Sequence, residues 1–473
     1  MGLRTAAEYR ESLRDGRVLW YRGARVADVT TEPELKIAVE NSALDYDEAY
    51  GPEHRDLTVT VDPDTGEEYC ATYRVPRSTE DLLTRSRLVE LTATLGGTLL
   101  SVKDVGTDAL FALQTLLQGE ELERLMAFYR YCRDGDLAVA VAQTDVKGDR
   151  SKAPHEQADP DLHVHVVDRS DAGIVVRGAK MHTSFTPNAN EVLVLPTRAM
   201  KAEDADFAVA FAVPPATDGL SMYVSPYSGG TRHPWEHPVS SKHKMLETLT
   251  VFDDVFVPWD RVFCFRQPEL AGPIALAFVE YHRFTAVSYK LPLLDALVGS
   301  AAQIAEMNGV LHAGHIRDKL TQLVIYAETV RTLCEAAARR GRVGKAGLCL
   351  PDSATTNIAK YTFATGFHHA VRAVQECAGG VLVTGPGGED WDSADVRPVL
   401  EKYLRAAAPA AERLAMINLI SDLTVRDFGG YHTVLAVHAE GSIEAEKMQI
   451  FRAYDPRRAV GLARRLAGLA GLD

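Results

Sequence analysis

The sequence predicts a mainly α-helical protein with a central β domain. The chain has 473 residues, more than one ordinary hydrophobic core contains, so two or three domains are expected. The spacing of apolar residues is helical at both ends of the chain and alternates in the middle, as it does in strands. We therefore expect an N-terminal helical domain over 1–140, a middle β domain over 141–270 and a C-terminal helical bundle over 271–473.

The N-terminal region contains a helix start. The run Ser78–Asp81 supplies a hydroxyl side chain followed by two acidic residues, and leucines follow at helical spacing. Such a run caps the free N–H groups of a first helical turn. The same apolar spacing recurs over 109–117 and 120–130, so we expect two further helices and a mostly helical region up to residue 140.

Short alternating runs characterise the middle region. Turn residues such as Asp218-Gly219 separate them, and the runs lie at 163–167, 173–178, 191–195, 207–213 and 249–257. Several short strands at this spacing predict a small sandwich or barrel. We expect the run over 252–261 to be the strand that closes this domain.

Helical spacing returns after residue 271. Helices long enough for a bundle are predicted at 274–290, 294–307, 315–339, 353–375 and 399–423. Glycine-rich segments at 378–380 and 385–388 interrupt the pattern. The alanine-rich tail, 459–472, predicts one last short helix.

Composition and charge argue against several classes of function. The formal net charge of -14 disfavours a nucleic-acid partner, which needs a basic face. Residues 1–25 lack the apolar segment of a signal peptide, and no run of about 18 apolar residues predicts a membrane helix. We therefore expect a cytoplasmic protein without a membrane partner. The six scattered cysteines, with no CxxC pair, indicate reduced core thiols.

Sequence motifs narrow the chemistry further. The chain has no GxSxG elbow, no P-loop and no GxGxxG that opens a βαβ unit, so a Rossmann NAD site is not indicated. The histidines at 233, 237 and 243 lack the spacing of metal ligands.

Four segments carry polar groups that a cofactor or a substrate needs. The segment 143–150 offers hydroxyl, carboxylate, ammonium and guanidinium groups around a glycine, which suits a pyrophosphate and a ring edge. The segment 182–184 ends a predicted strand with small hydroxyl side chains. Residues 281–283 (Tyr-His-Arg) place three polar side chains in an apolar helix. Residues 440–443 form a Gly-Ser loop, predicted to follow the last bundle helices. Each segment also has a structural interpretation. In the order given, these are a solvated loop, a turn held by local Ser/Thr hydrogen bonds, a core histidine whose hydrogen bonds are satisfied, and a plain turn.

Together these segments resemble the 4-hydroxyphenylacetate 3-hydroxylase family, which includes two-component aromatic hydroxylases and 4-hydroxybutyryl-CoA dehydratase. The resemblance covers almost the whole chain, with blocks at 5–13, 144–150, 173–180, 251–261, 378–380 and 405–409. It implies an acyl-CoA dehydrogenase-like fold, bound FAD and a homotetramer. The flavin contacts that it implies are Gln143, Thr144, Asp145, Lys147, Gly148, Asp149, Arg150, His182, Thr183 and Ser184, together with Glu440, Gly441, Ser442 and Ile443 reaching from a neighbouring subunit.

Three positions separate the chain from the dehydratase branch. That branch binds an iron–sulfur cluster through three cysteines and a histidine. His282 matches the histidine, but Leu100, Asp104 and Tyr289 stand at the cysteine positions. None of these side chains replaces a thiolate ligand, so we expect neither a cluster nor another metal.

The chain also departs from the hydroxylase branch. The arginine, tyrosine and histidine that surround the phenol there correspond to Lys103, Thr107 and Val141. Lys103 keeps a positive charge but lacks the fork geometry of arginine, and the phenol hydrogen bonds are lost. We expect these residues, with Thr197 and Tyr289, to line a site for a substrate other than 4-hydroxyphenylacetate, an anionic or biosynthetic one.

The resemblance implies an oxygenase component that hydroxylates or oxidises a small aromatic or heteroaromatic substrate. A separate NAD(P)H-flavin reductase is expected to supply FADH2, and O2 is the co-substrate. His282, Arg283 and Lys103 are the candidates for polarisation or proton transfer. Two alternatives stay open. One is a cluster-free FAD-dependent dehydrogenase, dehydratase or isomerase acting on an acyl thioester, with His282 as the base. The other is a degenerate binding protein.

Overall fold

The computed structural model describes residues 2–47, 50–227 and 232–469. The helices of the N-terminal region are α1 (Ala6–Ser12), α2 (Lys36–Ala43), α3 (Arg55–Thr58), α4 (Thr79–Leu95), α5 (Asp104–Gln114) and α6 (Gly119–Asp134). The predicted helix start is confirmed, since the Ser78 side chain accepts the N–H of Asp81 at the first turn of α4.

The strands are β1 (Val18–Tyr21), β2 (Ala24–Val26), β3 (Val59–Val61), β4 (Glu68–Cys70), β5 (Val139–Ala142), β6 (His165–Arg169), β7 (Gly173–Met181), β8 (Glu191–Val194), β9 (Val209–Val213), β10 (Leu220–Val224), β11 (Thr248–Pro258), β12 (Val262–Phe265), β13 (Arg342–Val343) and β14 (Cys349–Leu350). In the described ranges, one sheet has six strands in the order β2-β1-β10-β11-β7-β6, and another has four in the order β12-β9-β8-β5.

The five strands predicted in the middle region are all present, as β6, β7, β8, β9 and β11. Two features differ from the predictions. The N-terminal region contributes β1 and β2 to the six-stranded sheet, where β1 pairs with β10 in parallel. The run over 252–261 does not close the sheet, because β11 pairs with β10 on one side and β7 on the other. Strands as short as β1 carry too little alternation to be recognised alone.

The remaining helices are α7 (Pro268–Met307), α8 (Gly314–Arg339), α9 (Ser353–Ala378), α10 (Val381–Thr384), α11 (Gly388–Asp392), α12 (Arg397–Tyr403), α13 (Ala410–Thr424), α14 (Asp427–His438), α15 (Ile443–Ala453) and α16 (Arg457–Leu466). The helix α7 replaces two predicted ones, because it continues through Pro292. Proline removes one helix hydrogen bond and costs about 3 kcal/mol. Residues 283–294 are buried without interruption, so packing on all sides of α7 offsets that cost.

Two further predictions in the C-terminal region were wrong in detail. The helix predicted over 399–423 is divided into α12 and α13, with Pro409 as the residue before α13. The loop at 440–443 does not follow the last helices, because α15 and α16 come after it. The predicted tail helix corresponds to α16, and residues 470–472 of that prediction lie outside the described residues.

Candidate functional site

The loop that follows β5 is held by a buried ion pair. The Lys180 ammonium donates to Asp145 Oδ1 at 2.6 Å and to the backbone oxygens of Gln143 and Leu195 at 2.8 and 2.9 Å. Burial opposes the charge of Asp145, but Lys180 outweighs burial and lowers the pKa of that carboxyl. Thr197 Oγ1 donates to the Gln143 oxygen at 2.6 Å and accepts the Asp145 N–H at 3.0 Å. The start of the loop is therefore fixed by the chain itself.

The same loop requires glycine at position 148. Gly148 has φ +53°, and a Cβ there would lie 2.6 Å from Gln157 Oε1. The Gln157 amide fastens the turn, because Oε1 accepts the Asp149 N–H and Nε2 donates to the Asp149 oxygen, both at 2.9 Å. The turn leaves residues 147–150 exposed, so backbone and side chains there are accessible to a ligand.

This exposed turn carries two cations. Lys147 and Arg150 form no ion pair within the part of the chain that the structure describes. The Thr144 hydroxyl has no hydrogen-bond partner among the same residues, while the Thr144 backbone oxygen accepts the Met181 N–H at 2.8 Å. Unpaired cations beside an accessible glycine turn suit an anionic phosphate. The residues of this loop thus fit the pyrophosphate of the FAD that the resemblance implies.

The end of β7 lies close to this loop. His182 adopts φ +60° directly after the strand. Burial lowers the pKa of His182 most, and the charges of Lys147 and His438 lower it further. The loop after β5, the end of β7 and the end of α14 therefore meet at His182.

The hydroxyl groups of the strand end are already bonded inside the protein. Thr183 is buried, and its Oγ1 contacts the hydroxyls of Thr248 and Thr250, the latter at 2.6 Å. Ser184 Oγ donates to both carboxylate oxygens of Glu247 at 2.9 Å. The Thr183 hydroxyl thus forms its hydrogen bonds within the sheet. A flavin contact through the other atoms of Thr183 stays a prediction.

A buried carboxylate joins α5 to α7. Asp108 is 0% exposed, and its Oδ2 lies 3.1 Å from His282 Nδ1. Its Oδ1 accepts from Arg85 Nη2 at 2.7 Å and from Thr285 Oγ1 at 2.8 Å. The ring of Phe278 stacks on the imidazole with centroids 5.1 Å apart. No described residue bonds to His282 Nε2, so the ring is oriented by one nitrogen and open at the other.

The loop between α14 and α15 packs against α7 of its own chain. Glu440 adopts φ +55°, and its carboxylate accepts from Lys290 Nζ at 2.7 Å and from the Tyr289 hydroxyl at 3.1 Å. Its backbone oxygen accepts from Arg283 Nε at 2.8 Å. Burial opposes ionisation, but Lys290 and Lys360 outweigh it and lower the pKa of Glu440 to about 2. Arg283 thus holds the loop rather than facing open space.

Electrostatic contacts connect these groups into one region. His282 adds to the lysines that lower the pKa of Glu440. Burial first, and then the charge of Glu440, raises the pKa of Glu247, the residue that binds Ser184. Gln143 Nε2 reaches a backbone oxygen of α7 at 3.5 Å. Pairwise contacts therefore link the three predicted flavin segments and His282 to one another within the chain, and their contact with flavin stays a prediction.

Lys103 belongs to a different set of contacts. Its Nζ lies 2.7 Å from Asp136 Oδ1, 3.0 Å from the Tyr50 hydroxyl and 3.7 Å from the centre of the Tyr46 ring. The side chain is buried. A substrate would have to displace Asp136 to reach this ammonium, so the geometry gives no support to the predicted catalytic role of Lys103 or to an anionic substrate bound there.

The other predicted substrate residues face protein groups as well. Thr107 Oγ1 accepts from Arg85 at 2.9 Å and donates to a backbone oxygen one turn earlier at 3.1 Å. Val141 is buried in β5. The Thr197 hydroxyl donates to the loop after β5, and the Tyr289 hydroxyl donates to the loop between α14 and α15. Contact between these residues and a substrate remains a prediction.

The positions that hold cluster ligands in the dehydratase branch are occupied differently. Leu100 and Asp104 are buried. Neither carboxylate oxygen of Asp104 has a hydrogen-bond partner in the described ranges, and burial raises the pKa of Asp104 to about 8. The described residues contain no group of three or more His, Cys, Asp or Glu side chains that could hold a metal ion.

Asp108, Arg85 and Glu247 were missed in the sequence. A signal existed for Asp108, since a charged residue inside the apolar helix α5 requires a buried partner. The partner itself could not be read, because His282 lies 174 positions away.

Comparison with known proteins shows the family of the chain. The chain matches the 4-hydroxyphenylacetate 3-hydroxylase N-terminal model over residues 5–264 and the C-terminal model over 271–468. The chain belongs to the 4-hydroxyphenylacetate 3-hydroxylase family. It is an FAD-dependent oxidoreductase of the two-component monooxygenase type.

Relatives from both branches of the family resemble the chain. It is 32% identical to the 4-hydroxyphenylacetate 3-monooxygenase oxygenase component of Thermus thermophilus, over 90% of this chain and 89% of that protein. It is 31% identical to the 4-hydroxybutyryl-CoA dehydratase/vinylacetyl-CoA-Delta-isomerase of Clostridium aminobutyricum, over 99% and 100%. A crystal structure of the oxygenase component of 4-hydroxyphenylacetate 3-monooxygenase complexed with FAD superposes with a TM-score of 0.91, at 30% identity and 98% coverage of both chains.

The predicted fold class is confirmed. Glutaryl-coenzyme A dehydrogenase shares the fold at a TM-score of 0.55 and 14% identity, so helical regions around a central β region form an acyl-CoA dehydrogenase-like fold. Every helix among the described residues is too short or too polar to span a membrane.

Proposed function

We propose that the chain is the oxygenase component of a two-component monooxygenase that hydroxylates a small aromatic or heteroaromatic substrate other than 4-hydroxyphenylacetate. The observation that carries this proposal is the His282 imidazole, whose Nδ1 is held by Asp108 and whose Nε2 has no hydrogen-bond partner among the described residues. A base at this position suits a substrate with an ionisable O–H or N–H group on the ring.

FAD would be held by the segments that meet at His182. Lys147 and Arg150 would neutralise the pyrophosphate, and the backbone around Gly148 would approach it closely. When bound in its reduced form, the flavin supplies the electrons that activate O2. A separate flavin reductase is proposed as the source of FADH2, because similar proteins are described as oxygenase components.

The residues of the chain would prepare the substrate. His282 Nε2 would take the proton of the ring O–H or N–H, and the resulting anion makes the ring carbon beside it electron-rich. Glu440, whose pKa Lys290 and Lys360 lower to about 2, would place a negative charge near His282. Buried side chains around Phe278 would exclude water from the ring.

A substrate other than 4-hydroxyphenylacetate is proposed because of three positions. Lys103 is committed to Asp136, Thr107 to Arg85, and Val141 carries no polar group. Hydrogen bonds from these positions to a phenol and a carboxylate would need side chains that the protein already uses internally.

A second candidate is an acyl-thioester isomerase or dehydratase without a cluster. The full-length similarity to 4-hydroxybutyryl-CoA dehydratase/vinylacetyl-CoA-Delta-isomerase favours it. In this case His282 would take a proton from carbon beside the thioester. The two candidates differ in their need for oxygen.

We also propose a homotetramer. The helices α15 and α16 present large apolar side chains to solvent in the single chain, with Phe451 84% and Leu466 80% exposed, and a neighbouring subunit would cover them. Light scattering on the purified protein gives the mass directly, and a monomer would contradict this part of the proposal.

The test of function uses the purified protein with a flavin reductase, NADH and FAD, and a panel of phenols, indoles and pyrroles. Oxygen uptake, hydrogen peroxide and oxygenated product are measured together. The expected result is a substrate that lowers the release of hydrogen peroxide and yields an oxygenated product. The variant His282→Gln is expected to lose that product. Anaerobic exchange of deuterium into a CoA thioester, without oxygenation of any ring, would move the second candidate to first place. A protein that does neither would fit the degenerate binding protein.

A further inference from the structure

We propose that Asp108 is a positioning residue that fixes His282 in the tautomer with hydrogen on Nδ1 and leaves Nε2 as the proton acceptor. This inference rests on the proposed function, in which His282 is the acid–base group. Asp108 does not touch the substrate. It acts only through the imidazole.

The hydrogen bonds of Asp108 set the tautomer. Three donors converge on this carboxylate: Arg85 and Thr285 at Oδ1, and His282 at Oδ2. A carboxylate that receives a guanidinium and a hydroxyl acts as an acceptor. The hydrogen between Asp108 and His282 therefore belongs to Nδ1, and a neutral imidazole then has its lone pair on Nε2.

The orientation of the ring is set as well. Phe278 lies one helical turn before His282 and stacks on it with an interplanar angle of 10°. Rotation of the imidazole would break both this stack and the bond to Asp108. The side chain of His282 is 13% exposed, whereas that of Asp108 is fully buried. Of the two nitrogens, Nε2 thus faces the accessible side.

The carboxylate is held in place from behind. Arg85 also donates to the Thr72 backbone oxygen at 3.0 Å and to Thr107 Oγ1 at 2.9 Å, and its guanidinium lies 5.3 Å from the centre of the Phe111 ring. These contacts hold the Arg85 guanidinium in a fixed position next to the Asp108 carboxylate. Asp108 is consequently fixed by α4, α5 and α7 together.

The neighbouring carboxyl does not compete for Arg85. Asp104 contacts Arg85 only through its backbone oxygen, at 3.4 Å. Burial raises the pKa of Asp104 to about 8, which favours the neutral form of this carboxyl. Arg85 instead forms a buried ion pair with Asp108 at 2.7 Å, so its charge lies beside the carboxylate that holds the Nδ1 hydrogen.

The test combines two readouts on the whole protein. The first is the ¹⁵N NMR spectrum of protein with labelled histidine, in which the His282 resonances are those lost in His282→Gln. Hydrogen on Nδ1 is expected in the parent protein. In Asp108→Asn the amide would donate to Nδ1, and the hydrogen is expected on Nε2. Hydrogen on Nε2 in the parent protein would overturn the proposal, whether or not any variant folds.

The second readout is steady-state oxygenation of the substrate that the panel of phenols, indoles and pyrroles identifies. Asp108→Asn is expected to lower kcat by about 10²–10⁴-fold, with KM changed less than about threefold. Asp104→Asn is the matched control, because it makes the same change one helical turn earlier on α5 and removes no hydrogen bond of Asp108 or His282. It is expected to leave the tautomer unchanged and kcat within about threefold.

The two proposals fail in different ways. Unchanged kcat in Asp108→Asn together with a large loss in His282→Gln would refute the positioning role and leave the acid–base role standing. Unchanged kcat in His282→Gln would refute the acid–base role, while the NMR result would still decide the tautomer.

Discussion

Asp104→Asn should make the protein less sensitive to alkaline pH. Asp104 is 1% exposed, and both oxygens of its carboxyl are buried without a partner in the described ranges. Burial raises its pKa from 3.8 to about 8, although Arg85 works in the opposite direction. Asparagine has nearly the same shape and stays neutral at every pH, so the substitution removes the titration and little else.

The sign and size of the effect follow from the pKa difference. The folded state binds the proton more tightly than the unfolded chain, so the stabilising contribution is complete below about pH 4 and is lost as pH rises through about 8. Each pH unit between these limits changes the free energy of unfolding by about 1.4 kcal/mol. Between pH 6 and pH 8 the parent protein should therefore lose about 2–3 kcal/mol relative to Asp104→Asn.

Urea unfolding of both proteins, followed by circular dichroism at pH 6 and pH 8, measures this difference. Other titrating groups contribute equally to the two proteins and cancel in the comparison. An equal pH dependence in both would refute the reasoning, because it would mean that Asp104 is already ionised in the folded protein at pH 6.

Three further substitutions test the loops of the site. Lys180→Met leaves the Asp145 carboxylate buried without its cation. It should lower the free energy of unfolding, measured in urea, by about 3–5 kcal/mol. A loss below about 1 kcal/mol would contradict the buried ion pair. Gly148→Ala forces a non-glycine residue into the left-handed region, which costs about 1–3 kcal/mol of stability. It should weaken FAD binding about tenfold in a fluorescence titration. Unchanged affinity would mean that this loop does not bind the flavin. Gly441 has φ +107°, and Gly441→Ala would place a Cβ 2.3 Å from a nitrogen of the Arg283 guanidinium, so it should lower Tm by several degrees. The control is Gly430→Ala, whose Cβ would have no atom within 4 Å. It should leave Tm unchanged or raise it.

The sequence predicted the elements whose signals are local. The start of α4 is encoded in four adjacent residues, and the strands β7 and β11 in short alternating runs. The continuity of α7 is not local. A proline inside a helical pattern predicts a break, and only the neighbours that bury residues 283–294 on every side make the continuous helix favourable.

The candidate site was predicted in part for the same reason. His282 and the segments 143–150 and 182–184 were predicted from the sequence, and the structure shows contacts that link them. Their roles toward flavin and substrate stay predictions. Whether a polar group is available to a ligand depends on its partners across the fold. The ammonium of Lys103 and the hydroxyl of Thr183 look available in the sequence, yet Asp136 and the neighbouring strands occupy them.

The pairing of β1 with β10 affects how the protein is made. Leu19 lies opposite Met222, so a chain growing from its N-terminus must wait for roughly 200 more residues before β1 finds its neighbour. At about 5–20 residues per second, this delay lasts roughly 10–40 s on the ribosome. The segment around Trp20 is open to chaperones and to other nascent chains throughout that time. Changes near the N-terminus should therefore affect the yield of the protein in cells much more than the turnover of the molecules that have folded.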